Sequence, residues 1–196
     1  MNIMKNNELF TRLTESALTL GATRASVIDT DKIVLDPVFR EMCASNACGT
    51  YGKCWMCPPD VGNIEDLMKQ VGSYRYALVY QTVSELEDSF DIEGMFEARK
   101  SVSQVAQKLR KTFSIPEISE VLHLTVGGCG VCEVCAKKTG EPCRAPELAM
   151  ASLEAYGVNV SKLAEAAGMK YINGKDTVTY FGAVLFCTDG GLNDEK

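Results

Sequence analysis

Residues 92–126 read IEGMFEARKSVSQVAQKLRKTFSIPEISEVLHLTV, and a change of period inside this stretch decides the fold class. Ile92, Met95, Phe96, Arg99, Val102, Val105, Ala106, Leu109 and Phe113 recur at three- and four-residue intervals, which is the spacing of one helix face. Pro116 ends the helix, because it has no amide hydrogen to donate and its ring clashes with the preceding turn. Val121–Val126 then reads as a strand. Upstream, Tyr74–Val83 (YRYALVYQTV) is a second apolar, β-branched run behind Gly72-Ser73. Two strands joined by a crossover long enough for a helix indicate an α/β layered fold.

The flanks extend the same pattern. Leu9, Leu13, Ala17 and Leu20 predict a first helix closed by Gly21, and Ala25–Ile28 a short strand. Asp60 is placed to cap a helix running to about Val71. Pro146 suits the first position of a helix over Glu147–Tyr156, and Gly157 ends it. Asn159 or Ser161 starts another, stopped by Gly168, and Thr177–Phe186 (TVTYFGAVLF) is the last strand. The expected architecture is an α+β sandwich: a roughly four-stranded mixed or antiparallel sheet, helices on one face, and ferredoxin-like topology. Residues 1–196 are expected to form a single domain, since no repeat, low-complexity tract or linker interrupts them.

The chain has 196 residues, with 20 Lys+Arg against 26 Asp+Glu and a net charge of −6. It lacks the basic footprint of a nucleic-acid binder, and its longest apolar run, Phe181–Cys187, is far short of the ~20 residues that span a bilayer. The opening MNIMKNNELF has no basic-then-apolar order, so a cytoplasmic location is expected. One histidine and nine cysteines without an export signal point to reduced thiols used for metal or redox chemistry.

Eight of the nine cysteines form two groups of four. Cys43, Cys48, Cys54 and Cys57 follow C-x4-C-x5-C-x2-C; Cys129, Cys132, Cys135 and Cys143 follow C-x2-C-x2-C-x7-C. Three cysteines at successive x2 spacings let one tight loop point three sulfurs at a [4Fe–4S] cluster that needs a single distant ligand. Here proline precedes Cys143, whereas in bacterial ferredoxin runs it follows the last cysteine. Structural zinc also takes four thiolates, but its usual signature is two separated C-x2-C pairs. Cys57-Pro58-Pro59 ends like a ferredoxin run, in which the last cysteine ligates the other cluster. Cys57 could therefore serve the second group, and Cys143 the first. Gly127, Gly128 and Gly130 fail the dinucleotide fingerprint. They suit either a tight strand-to-loop turn or a close approach of backbone N–H groups to cluster sulfur.

The segment CASNACGTYGKCWMCPP, followed by CGVCEVCAKKTGEPCRAPELAMASLEAYGVNV, resembles a widespread family of uncharacterised bacterial and archaeal proteins described as predicted metal-binding. The likeness runs from about Ala22 to Phe186. It implies a cysteine-bound metal or iron–sulfur site, with no established reaction. By position, Cys43, Cys48, Cys57, Cys129, Cys132, Cys135 and Cys143 match the family's pattern. Cys54 departs from it, because the family more often has asparagine there. If Cys54 is not a ligand, the first site has three cysteines and a fourth corner that is open, water-bound or filled by another residue.

Other residues have plainer readings. His123, between Leu122 and Leu124, is expected to be a hydrogen-bonded sheet residue, and Cys187 a buried structural thiol. Tyr51 and Trp55 either shield the site or pack their loop on the core. Arg144 either faces cluster sulfur or an anionic substrate, or makes a surface ion pair. Glu85, Glu87, Asp88, Asp91 and Glu93 suit the start of the long helix or a docking patch for a basic redox partner. Three functions follow: a protein with one or two [4Fe–4S] clusters acting in electron transfer, an enzyme whose open cluster iron acts on a small anionic substrate, or a zinc-stabilised structural or interaction module.

Overall fold

The computed structural model of the protein describes residues 2–188. Five strands, β1 (Arg24–Asp29), β2 (Tyr76–Glu85), β3 (Ile118–Thr125), β4 (Ala151–Ser152) and β5 (Thr177–Thr188), form one sheet in the order β1-β2-β5-β3-β4. The first four in that order pair antiparallel, and β4 lies parallel to β3. The helices are α1 (Asn2–Thr19), α2 (Val38–Glu41), α3 (Ile64–Ser73), α4 (Ile92–Thr112) and α5 (Val160–Ala166). Among the described residues no helix is long and apolar enough to cross a membrane.

Strand alternation sorts the core into two layers, because successive side chains leave a strand on opposite faces. Leu78, Tyr80, Val184 and Phe186 pack against Leu9, Leu13 and Ala17 of α1 and Val102, Val105 and Leu109 of α4. Ala77, Val79, Ala183 and Leu185 face Leu67 and Val71 of α3, Leu163 of α5 and the Leu153–Val158 segment. Each fully buried Leu or Phe contributes ~1.5–3 kcal/mol. At Gly182 an added Cβ would collide with the Tyr80 hydroxyl and ring, so only glycine lets the tyrosine cross the strand.

The long helix and the strands flanking it stand where the periodicity puts them. The sheet has five strands where about four are expected, and helices cover both faces, where one is expected. Its order does not show ferredoxin-like topology. The predicted helix over residues 147–156 is instead β4 followed by a single turn, Glu154–Tyr156. Met150, Ala151, Leu153, Ala155 and Tyr156 are all buried, and a short apolar run without a polar face fits a strand as well as a helix. The cap of α3 is Asn63, whose side chain accepts from the amides of Glu65 and Asp66. Asp60, expected in that role, pairs with Lys137.

These elements place both cysteine groups. The second loop leaves the end of β3 and returns at β4, paired to β3 through Leu124–Ala151 and Thr125–Ser152. The first lies between α2 and α3, anchored upstream where the Asp36 amide donates to the Gly157 carbonyl at 2.8 Å and the Asn159 amide to Val34 at 2.9 Å.

Candidate metal centre

Thr50 joins the two loops. Its hydroxyl lies 3.0 Å from Cys48 Sγ and 3.4 Å from Cys57 Sγ, so one side chain orients two thiols of the first group. Its methyl faces Gly128, where a Cβ would sit only 2.8 Å away. Gly128 is therefore a contact glycine: it lets the first loop lie directly on the turn that opens the second. Gly127, at φ +63°, makes that turn and runs beneath the Arg99 guanidinium, whose Nη1 would be 3.3 Å from an added Cβ.

A second tie runs through Trp55. Its indole N–H donates to the Glu141 carbonyl at 2.9 Å, and the Lys137 ammonium sits over its ring at 4.3 Å while pairing with the partly buried Asp60. Trp55 thus clasps the two loops together, a use of the residue that neither packing nor shielding alone anticipates.

Between the loops is a cavity lined by Cys54, Cys129, Cys132, Cys135 and Cys143, with Trp55, Met56 and Val131 supplying apolar wall. All four cysteines of the second group meet there. Cys54 joins them from the first loop, 5% exposed, with Cys57 behind it at 6%. Cys143 lies with its own group at this cavity, and Cys57 is not part of its lining. Cys43, in the turn Met42–Ser45, and the exposed Cys48 lie outside the cavity.

The electrostatics favour thiolate at Cys54. A hydrogen bond from the Cys57 thiol outweighs burial and holds the Cys54 thiol down to about 5, and the amides of Cys129 and Met56 add to the effect. The same hydrogen bond, then burial, pushes Cys57 up. Burial raises Cys129, opposed by the amides of Val131 and Met150. Burial also raises Cys43, with Glu154 adding its repulsion. The donor set contains sulfur alone, which suits zinc, copper(I) or iron–sulfur clusters over hard oxygen-seeking cations. Among the described residues, no three His, Cys, Asp or Glu side chains are arranged to hold a single ion.

The remaining residues divide clearly. Arg144 pairs with Glu141 at 3.1 Å on the surface, so of its readings the ion pair is realised. His123 lies on β3 with Phe113 edge-on at 5.9 Å, and its Nδ1 is buried without a partner, where a hydrogen bond is expected. Cys187 is only partly buried, on β5. Of the acidic run, Asp91 caps α4 by accepting from the Gly94 amide at 2.8 Å. Arg99 is the site residue the sequence reading passes over. Its signal is there, as a cation set in the apolar stripe of α4.

Over residues 26–186 the chain matches the model of a family described as Predicted metal-binding protein (DUF2284). No curated protein and no solved structure matches it.

Proposed function

Because the chain belongs to this family of predicted metal-binding proteins, we propose that it is an iron–sulfur protein that carries a [4Fe–4S] cluster between its cysteine loops and transfers electrons. The observation that carries the reading is the cavity in which the four cysteines of the second loop meet a fifth from the first. Cys129, Cys132 and Cys135 supply three ligands and Cys143 the fourth, while Cys54 is a further sulfur in the wall. Cys43, Cys48 and Cys57, two of them ordered by Thr50, are the ligands for a second cluster with an open corner.

The even spacing of Cys129, Cys132 and Cys135 along the chain supports iron–sulfur over zinc, whose usual signature is two separated C-x2-C pairs. Once bound, the cluster supplies one-electron chemistry. The chain's own residues set the terms of that chemistry. Trp55, Met56 and Val131 give the cavity an apolar wall, which lowers the polarity around the sulfurs. The amides of Val131 and Met150 donate to Cys129 sulfur, which stabilises the more negative, reduced state and raises the potential.

The test is anaerobic purification followed by iron and sulfide analysis and electron paramagnetic resonance before and after reduction. About four irons per chain indicate one cluster and about eight indicate two. Stoichiometric zinc with no iron under those conditions overturns the proposal.

A further inference from the structure

Beside the metal centre, on the other side of the Cys129–Val131 ridge, α4 and the second loop border an open groove of about 590 Å³. This lies within the ~300–1,000 Å³ range of small-molecule sites. We propose that the groove binds a small organic polyanion, phosphate- or carboxylate-bearing, placed against the metal centre. Three observations carry this.

The first is charge. Arg99, Lys100 and Lys108 line the groove, and no carboxylate does, although the chain as a whole carries −6. Lys100 pairs with Glu97 one turn back, whereas Arg99 and Lys108 have no ion pair among the described residues. Ser103, Gln104 and Gln107 add neutral hydrogen-bonding groups, so the lining offers a polyanion both charge and donors.

The second is construction. Gln107 Nε2 donates to the Leu148 carbonyl at 2.8 Å, and Arg110 to that of Glu147. These bonds pin one wall to α4. The other wall is held where Arg99 lies across Gly127. A solvated helix face has neither a facing wall nor such ties. The guanidinium is also the cation whose planar fork best matches phosphate and carboxylate oxygens.

The third is position. Cys129, Gly130 and Val131 line both the groove and the metal cavity, so a bound anion is one residue's thickness from the centre. The groove extends the proposed function by giving the cluster a small-molecule reactant or effector, and it rests on that function only for this coupling.

Calorimetric titration of the metal-loaded chain with pyrophosphate and with citrate tests the groove. At low salt at least one probe binds with sub-millimolar Kd. Arg99→Gln and Lys108→Gln each weaken it about tenfold, roughly 1.4 kcal/mol, while Lys69→Gln on α3 changes nothing. Saturating probe also shifts the spectrum of the reduced cluster. A Kd of ~1 mM or weaker for both probes, about −4.1 kcal/mol or less favourable, overturns the proposal, as does a Lys69→Gln variant that weakens binding as much as the groove variants. If oxygen-free protein is found to carry no iron yet binds the probe and loses it with Lys108→Gln, the groove stands and the cluster does not.

Discussion

Alanine at Gly128 should separate the two cysteine loops. The added Cβ would meet Thr50 Cγ2 at 2.8 Å and Thr50 Cβ and Oγ1 at 3.1 Å, against the ~3.5–4.0 Å at which carbon atoms rest. Thr50 has little freedom to retreat, because its hydroxyl sits between Cys48 and Cys57. Overpacking of this kind costs ~1–3 kcal/mol. Gly128 has an ordinary negative-side φ, so alanine fits the backbone and recovers ~0.4–1 kcal/mol through the unfolded chain. The net loss is about 1–2 kcal/mol, or a Tm lower by ~3–6 °C for a chain of this size. Iron content should fall with it. Thr50→Ser removes Cγ2 and keeps the hydroxyl, so the double variant should regain roughly half of the loss, a coupling of ~0.5–1 kcal/mol. Thermal unfolding by circular dichroism, with iron analysis of all four proteins, completes the cycle. A Gly128→Ala protein that melts with the wild type and keeps its iron, or a cycle without coupling, refutes the contact and the joining of the loops through it.

Three further outcomes follow from the same structure. Cys143→Ser should lose the iron of the second loop, whereas Cys54→Ser should retain it with an altered spectrum; the reverse result, read from iron per chain, assigns the fourth ligand to Cys54. Burial, with Arg110 adding repulsion, holds His123 down to about 4, so the folded protein keeps it neutral while the unfolded chain protonates near 6.5. The unfolded state then binds more protons between those values, and stability falls as pH drops from ~6.5 to ~4, by about 2–3 kcal/mol. His123→Phe, which keeps the contact with Phe113, should flatten that part of the profile in denaturant titrations across pH. Asn63→Ala removes the cap of α3 and should cost ~1 kcal/mol; an unchanged urea midpoint contradicts the capping role.

The α4 stripe and the apolar strands were legible because each presents a single period over many residues. Met150–Tyr156 was not, because a run buried on all sides carries no period to read. The pairing order was also hidden, since β5 enters between β2 and β3 only after the whole chain has been made. Cysteine spacing brings Cys129, Cys132, Cys135 and Cys143 to one place, as the structure does. It groups Cys54 with Cys43, Cys48 and Cys57, whereas the structure sets Cys54 in the wall where the second group meets; it is silent on Arg99, which reads as one more residue of a helix face until the second loop lies across it.

X-ray absorption at the iron and zinc edges of oxygen-free protein tests the cluster most directly. The expected result is iron coordinated by sulfur with a second shell of iron, as in a [4Fe–4S] cluster. Zinc at full occupancy with four sulfurs at ~2.3 Å and no second metal shell would contradict it.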